Sequence, residues 1–97
     1  MIRATSNKGF QLTFENGWTI SVQFGYGNYC DNGHHPERLA LHNKQVVESS
    51  DAEIAIWHEV KKDNTGSEYY TFDNGDMVKG YCSPDEVADW IDKVSKW

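Results

Sequence analysis

The sequence predicts a single α+β domain, in which an antiparallel sheet of about five strands with two Asn-Gly β-hairpins is packed by one C-terminal amphipathic helix. Three observations lead to this fold class. Two Asn-Gly pairs stand between runs of strand-forming residues, the longest of these runs alternate apolar and polar residues, and the end of the chain carries an apolar stripe at helical spacing. A chain of 97 residues has room for one domain, which we assign to residues 1–97.

The first hairpin is predicted from residues 10–14 and 18–24, which flank Asn16-Gly17. Asn-Gly between alternating runs favours a type I′ turn, in which both central residues have φ > 0. Alternation places seven apolar side chains on one face: Phe10, Leu12, Phe14, Trp18, Ile20, Val22 and Phe24. The opposite face is polar, with Thr13, Thr19, Ser21 and Gln23.

Three further strands are predicted after a long irregular segment at 25–49. Residues 52–60 form the third strand, and 61–67 form a polar turn. Residues 68–72 and 77–82 form the fourth and fifth strands on either side of Asn74-Gly75. In the third strand, Ala52, Ile54 and Ile56 share one face, and Ala55 and Trp57 share the other.

A C-terminal helix is predicted from a complete start signal. Ser83 is the expected N-cap, Pro84 takes the first helical position, and Glu86 stands at the capping-box spacing. The apolar stripe consists of Val87, Trp90, Ile91, Val94 and Trp97. We therefore expect the helix to pack on the sheet and to present an acidic outer face.

The net charge of −6 comes from 15 acidic and 9 basic residues, and residues 68–97 alone carry seven acids against three bases. One interpretation is a solvated face that keeps the protein soluble, and the other is an acidic patch for a basic partner. A negative field disfavours direct binding to nucleic acid or an anionic membrane. No signal peptide and no membrane-spanning segment are recognisable, so we expect a cytoplasmic protein with reduced cysteines.

The two Asn-Gly segments resemble each other. Phe14-Glu15-Asn16-Gly17 is matched by Phe72-Asp73-Asn74-Gly75, and each segment is later followed by a Tyr-Cys pair, Tyr29-Cys30 and Tyr81-Cys82. Convergence is one explanation, because few residues tolerate such a turn. A duplicated hairpin is the other.

The residues that could carry chemistry form no complete motif. Cys30, His34 and His35 lie within six positions, and Cys82 follows the second turn; these are weak candidates for a zinc site, since a second ligand pair is missing. The alternatives are two cysteines that fill space beside their tyrosines, a Cys30–Cys82 disulfide, or a thiol nucleophile at Cys30. We predict no catalytic residues and no cofactor.

Candidate partner-binding residues lie in three places. The glycine-rich loop offers Tyr26, Tyr29 and Asp31, although its tyrosines could instead pack on the core. Trp57 lies either under the helix or on the other face of the sheet, where an exposed ring beside Tyr69 would be a hot-spot candidate. The helix contributes four carboxylates: Asp85, Glu86, Asp89 and Asp92.

Several motifs together resemble a family of short, uncharacterised bacteriophage and prophage proteins. They are Asn7-Lys8-Gly9-Phe10, Phe14-Glu15-Asn16-Gly17-Trp18-Thr19, Val22-Gln23-Phe24-Gly25, Gly27-Asn28-Tyr29-Cys30 and the segment 80–88, whereas residues 34–68 show little likeness. The resemblance implies a phage setting and assigns no activity and no functional residues. Small acidic phage proteins often inhibit a host machine, anti-CRISPR proteins being one class, so the analogy is one of size, charge and context.

The function expected from these observations is binding without catalysis. The protein would bind and inhibit a host protein or defence complex, for example a nucleic-acid-handling complex with a basic surface, acting as a monomer or homodimer. Two alternatives remain open: an assembly component that forms a homo-oligomer through its sheet edges, and a metal- or thiol-dependent enzyme centred on Cys30, His34 and His35.

Overall fold

A computed structural model describes residues 1–6, 8–33, 47–63 and 66–97. Within these ranges the chain forms β1 Ile2–Ala4, β2 Gly9–Thr13, β3 Trp18–Gln23, β4 Ala52–Asp63, β5 Gly66–Tyr69, β6 Val78–Cys82 and the helix α1 Pro84–Ser95. The predicted fold class is confirmed: α1 packs on an antiparallel sheet. Most of the segment predicted to be loop-like, residues 34–46, lies outside the described residues.

The sheet has the order β1-β2-β3-β4, and both β5 and β6 pair with β4. Every pairing recorded among the described strands is antiparallel. β4 is thus the central strand, with β3 on one edge and two shorter strands on the other. β1 was not predicted, because its three exposed residues give no apolar pattern.

The second Asn-Gly turn forms, but the strands that flank it do not pair with each other. Trp57 of β4 faces Tyr69 of β5, and Ala55 of β4 faces Val78 of β6. β5 and β6 therefore lie end to end along one edge of β4, and residues 71–77 leave the sheet between them. The tight turn closes this excursion through a hydrogen bond from the Phe72 N–H to the Asp76 carbonyl oxygen at 2.9 Å.

Both Asn-Gly turns are three-residue loops and not the type I′ turns that the sequence predicted. Gly17 and Gly75 have φ of 89° and 86°, whereas neither asparagine has a positive φ. Each turn has the geometry of a type I turn followed by a left-handed glycine. The asparagine side chains explain the choice, since Asn16 Oδ1 accepts from the Trp18 N–H at 3.0 Å and Asn74 Oδ1 from the Asp76 N–H at 2.9 Å.

Several strand boundaries also differ from the prediction, and the predicted fourth strand, 68–72, ends at Tyr69. β4 continues to Asp63 and β5 begins at Gly66, so most of the polar stretch predicted as a turn belongs to strands. Asp63 pairs with Gly66, so the backbone ladder between β4 and β5 extends into this polar stretch. Backbone hydrogen bonds across a sheet do not require apolar side chains, so a polar strand end gives no hydrophobic signal.

The core lies between α1 and one face of the sheet. Ile20, Ile54, Ile56 and Val94 are fully buried there. All seven apolar side chains predicted for the first hairpin belong to this cluster or pack against it, as do Val87, Trp90 and Ile91 of the helix. The predicted alternation is confirmed on the opposite face as well, where the hydroxyls of Thr13 and Thr19 are hydrogen-bonded at 2.8 Å.

The helix begins as predicted. The Glu86 N–H donates to Ser83 Oγ at 3.2 Å and the Ser83 N–H donates to Glu86 Oε1 at 3.4 Å, which completes a capping box. Near its other end, Asn16 Nδ2 donates to the Val94 carbonyl oxygen at 2.8 Å. The first Asn-Gly turn thereby satisfies a carbonyl at the end of α1. No helix in the described ranges is long and apolar enough to span a membrane.

Candidate protein-binding surfaces

The glycine-rich segment after β3 is a closed loop held by its own hydrogen bonds. The Gly25 N–H donates to Asn28 Oδ1 at 3.0 Å, and the Gly27 N–H donates to the Gly33 carbonyl oxygen at 3.1 Å. A Cβ on Gly33 would overlap the Asn28 carbonyl oxygen, so only glycine fits there. A single 3₁₀ turn, Asp31–Gly33, ends the described part of the loop.

This loop is fastened to the sheet by backbone groups. The Tyr29 N–H donates to Glu53 Oε2 at 2.9 Å, and the Asp31 N–H donates to Asp51 Oδ1 at 2.6 Å. The Tyr29 carbonyl oxygen accepts from the Tyr81 N–H at 2.9 Å. The loop, the start of β4 and the end of β6 therefore form one connected unit.

A β-bulge in β6 sets the direction of Tyr81. Cys82 pairs with Ala52 but Lys79 pairs with Ile54, so β6 has one residue more than β4 across this stretch. Tyr81 adopts φ of 56°, a left-handed conformation that is uncommon for a tyrosine. Such backbone strain is concentrated at binding sites and active sites in folded proteins.

Three large exposed side chains surround a depression of about 650 Å³ beside this bulge. We call Tyr29, Met77 and Tyr81 the tyrosine patch; they are 54%, 57% and 53% exposed. Asp76 and Gly80 also line the depression. Tyrosine is enriched among the residues that dominate binding energy, and methionine adapts its shape to different partners. Three of the seven large hydrophobic side chains that are exposed in the described part of the chain lie in this patch.

The two cysteines next to these tyrosines are buried and are not joined by a disulfide. Cys30 and Cys82 are both fully buried, and no Cys30–Cys82 disulfide is formed. The Cys30 thiol lies 3.8 Å from the Gly25 carbonyl oxygen. This burial agrees with the interpretation of both residues as small apolar side chains that fill space, and the disulfide alternative is wrong.

The environment of Cys82 opposes formation of a thiolate. Burial raises the pKa of the Cys82 thiol most, and the negative charge of Glu86 raises it further; Lys79 opposes this shift, and Asp51 adds a smaller increase. A thiolate is the form that attacks substrates and binds metals. Cys82 is thus poorly suited to either role at neutral pH.

The histidine part of the proposed metal or thiol centre lies outside the described residues, since His34 and His35 fall within 34–46. Among the residues that are described, no three His, Cys, Asp or Glu side chains are grouped to hold a metal ion. His58, another possible general base, is partly buried and makes an edge-on contact with Trp18, with ring centroids 5.0 Å apart. The metal hypothesis for Cys30, His34 and His35 stays a prediction.

The acidic outer face of α1 is present as predicted. Asp85, Glu86, Asp89 and Asp92 are all exposed. Lys96 pairs with Asp92 at 2.9 Å, and the Lys93 ammonium lies 4.3 Å from the centroid of the Trp90 ring. The two lysines lie at the C-terminal end, so the first two turns of the helix present uncompensated negative charge.

An open apolar groove of about 540 Å³ runs beside the start of α1. Its apolar lining combines Phe24, Ala52 and Cys82 of the sheet region with Val87 and Ile91 of the helix. Glu48 and Asp51 also border it. The groove and the acidic helix face are therefore adjacent surfaces.

Two of the remaining predicted contact residues, Trp57 and Tyr26, are less accessible. Trp57 lies on the face opposite Ile54 and Ile56 but is only 7% exposed, which removes it as an exposed hot spot. Its ring centroid lies 5.4 Å from that of Tyr69, which is 39% exposed. Tyr26 is partly buried, while Tyr29 and Asp31 of the same loop are exposed.

Sequence reasoning identified Tyr29 but missed Met77 and Tyr81. Their exposure depends on the excursion between β5 and β6 and on the bulge, neither of which alternation reveals. The repeated Tyr-Cys pair was the available signal, because in both pairs the cysteine is buried and the tyrosine is exposed.

Comparison of this chain with protein-family models, with curated proteins and with solved structures gives no match.

Proposed function

We propose that this protein binds a basic surface of a host protein or defence complex and blocks it without catalysis, in the manner of a phage counter-defence inhibitor such as an anti-CRISPR protein. The observation that supports this most is the exposed acidic face of α1, formed by Asp85, Glu86, Asp89 and Asp92. The phage setting comes from the motif resemblance described above.

The helix is a suitable carrier for this charge because its position is fixed. The capping box orders its first turn, and Val94 anchors its last turns in the core. A rigid array of carboxylates loses little conformational freedom on binding. It also attracts a cationic partner over a distance of roughly 8–10 Å at physiological salt, which raises the association rate.

The same charge argues for a protein partner. A surface that normally holds nucleic-acid phosphate is lined with Lys and Arg. Four carboxylates on one helix complement such a surface, whereas they repel phosphate itself. A nucleic-acid-handling complex is therefore the partner class that we favour.

The test compares two triply neutralised variants. One carries Asp85→Asn, Asp89→Asn and Asp92→Asn; the control carries Glu15→Gln, Glu68→Gln and Asp73→Asn, which changes the net charge equally at exposed sites off the helix. Each is used to capture proteins from host lysate, and captured proteins are then purified for affinity measurements. We expect the helix variant to lose at least about tenfold in affinity and most of the salt dependence. Equal binding by both variants would rule out the helix as the interface.

A homo-oligomer is a second candidate, favoured by one observation at the sheet edge. β1 is the first strand in the sheet order; its first residue, Ile2, is 80% exposed, and Met1 just before it is 71% exposed. Unpaired edge strands are templates for pairing with another chain. Sedimentation equilibrium at micromolar concentration decides: a dimer that Ile2→Lys dissociates supports this function, and a monomer contradicts it.

A further inference from the structure

We propose that the tyrosine patch is the binding site for an arginine side chain of the partner protein. This inference rests on the proposed function in one respect, namely that the partner presents a basic surface. It assigns a second contact, which is built from residues other than the four carboxylates of the helix.

The patch is held in place before any ligand arrives. The Tyr81 N–H bonds to the Tyr29 carbonyl oxygen, and the Tyr29 N–H bonds to Glu53. Gly80 lies so close that an added Cβ would come within 2.7 Å of Tyr29 Cβ. Both tyrosines are therefore fixed at the backbone, and a ligand would not have to order them.

The chemistry of the lining favours a cation. The faces of tyrosine rings carry negative potential and attract Lys and Arg, and the exposed carboxylate of Asp76 adds a full negative charge to the same depression. Lys79 does not line it. A purely apolar ligand would leave the Asp76 carboxylate without a matching charge.

Arginine fits this lining better than lysine. A guanidinium is planar, is only weakly hydrated, stacks on aromatic rings and donates two parallel hydrogen bonds to a carboxylate. A lysine ammonium is compact and strongly hydrated, so it loses more hydration on entering a site with aromatic walls.

The test uses a small probe and needs no identified partner. Labelled protein is titrated with acetyl-Gly-Arg-Gly-amide and, as the matched control, with the citrulline peptide, which has nearly the same shape without the charge. We expect saturable changes in the NMR signals of Tyr29, Gly80 and Tyr81, with an apparent Kd on the order of millimolar, and binding of the citrulline peptide at least about threefold weaker. Asp76→Asn and Tyr29→Leu should each lower the affinity for the arginine peptide by about threefold or more.

Several outcomes would overturn the inference. Equal responses to both peptides would show an apolar site, and changes confined to α1 would show attraction to the acidic helix alone. Signals of the patch that change with protein concentration and without peptide would show that a second copy of this chain covers it. If Tyr29→Leu alters the fold, the binding measurement on Asp76→Asn decides whether the inference holds. Asp76 takes part in its turn through its backbone N–H, so this change of side chain leaves the hydrogen bond in place. The variant neutralised at Asp85, Asp89 and Asp92 should still bind the arginine peptide. The arginine site and the helix interface are therefore tested independently of each other.

Discussion

The backbone N–H of Tyr81 donates to the carbonyl oxygen of Tyr29 at 2.9 Å, and this bond joins the two Tyr-Cys pairs of the chain. In both pairs the cysteine is buried and the tyrosine is more than half exposed. The repeat in the sequence is therefore a pair of neighbours in space. Two similar segments that lie far apart in the sequence form one surface.

Gly80→Ala should destabilise the protein by about 1–3 kcal/mol, because its new methyl group would lie 2.7 Å from Tyr29 Cβ and 3.0 Å from the Tyr29 carbonyl oxygen. Urea unfolding measures the loss, and the NMR signals of Tyr29 should move. Gly75→Ala is the matched control: it has open space around it and a φ of 86°, so it should cost about 1 kcal/mol through backbone strain and leave Tyr29 unchanged. Unchanged Tyr29 signals in Gly80→Ala would contradict the close packing.

Tyr81→Asn should be more stable than Tyr29→Asn by about 1 kcal/mol. The two tyrosines are almost equally exposed, so loss of either ring removes similar contacts, but only Tyr81 has a left-handed backbone, which asparagine tolerates well. Thermal or urea unfolding of the two variants provides the comparison. The same substitution should weaken binding of the arginine peptide by about threefold or more, because it removes one of the two tyrosine rings of the patch. Equal stabilities would mean that the left-handed conformation costs little here.

Asn16→Ala should cost about 1 kcal/mol more in unfolding free energy than Asn74→Ala. Both asparagines accept the same hydrogen bond within their turns, so that contribution is lost in either variant. Asn16 also donates to the Val94 carbonyl oxygen at the end of α1, and one such bond contributes roughly 0.5–1.5 kcal/mol. Amide hydrogen exchange in the last turn of α1 should increase in Asn16→Ala and not in Asn74→Ala. Identical losses would show that the bond to the helix contributes nothing.

Stability should fall above about pH 8.5 through Cys82. Burial, Glu86 and Asp51 raise the pKa of its thiol in the folded state. The unfolded chain therefore releases this proton at a lower pH than the folded one, so the contribution is complete below the unfolded pKa of about 8.5 and is lost as the pH rises toward the folded pKa. Urea unfolding from pH 7 to 10 should show a shallower decline in Cys82→Ala than in the wild type. Parallel declines would contradict the raised pKa.

The first hairpin and the helix could be read from the sequence because their signals are local. Alternation placed Ile20 and Val22 on the core side, and Ser83 with Glu86 marked the start of α1. Each of these signals spans fewer than ten residues. Local pattern and tertiary packing agree in these elements, as expected for a chain with consistent preferences at every level.

The second turn shows where local signals fail. Asn74-Gly75 specified a tight turn but not which strands would pair, because both flanking strands found a partner in β4 instead of each other. The bulge at Tyr81 and the bond from Asn16 to Val94 likewise depend on residues far away in the chain. The tyrosine patch depends on the pairing of β5 and β6 with β4 and on the bulge at Tyr81, so sequence reasoning could find Tyr29 and not its neighbours.

The bond between Asn16 and Val94 spans 78 positions. It joins the first Asn-Gly turn to a helix that follows every strand in chain order. During synthesis the strands leave the ribosome first, and their apolar face, with Ile20, Ile54 and Ile56, has no helix to cover it until α1 has emerged. Completion of this core must therefore wait for translation of α1, which makes the nascent sheet the stage at which the chain most needs protection from aggregation.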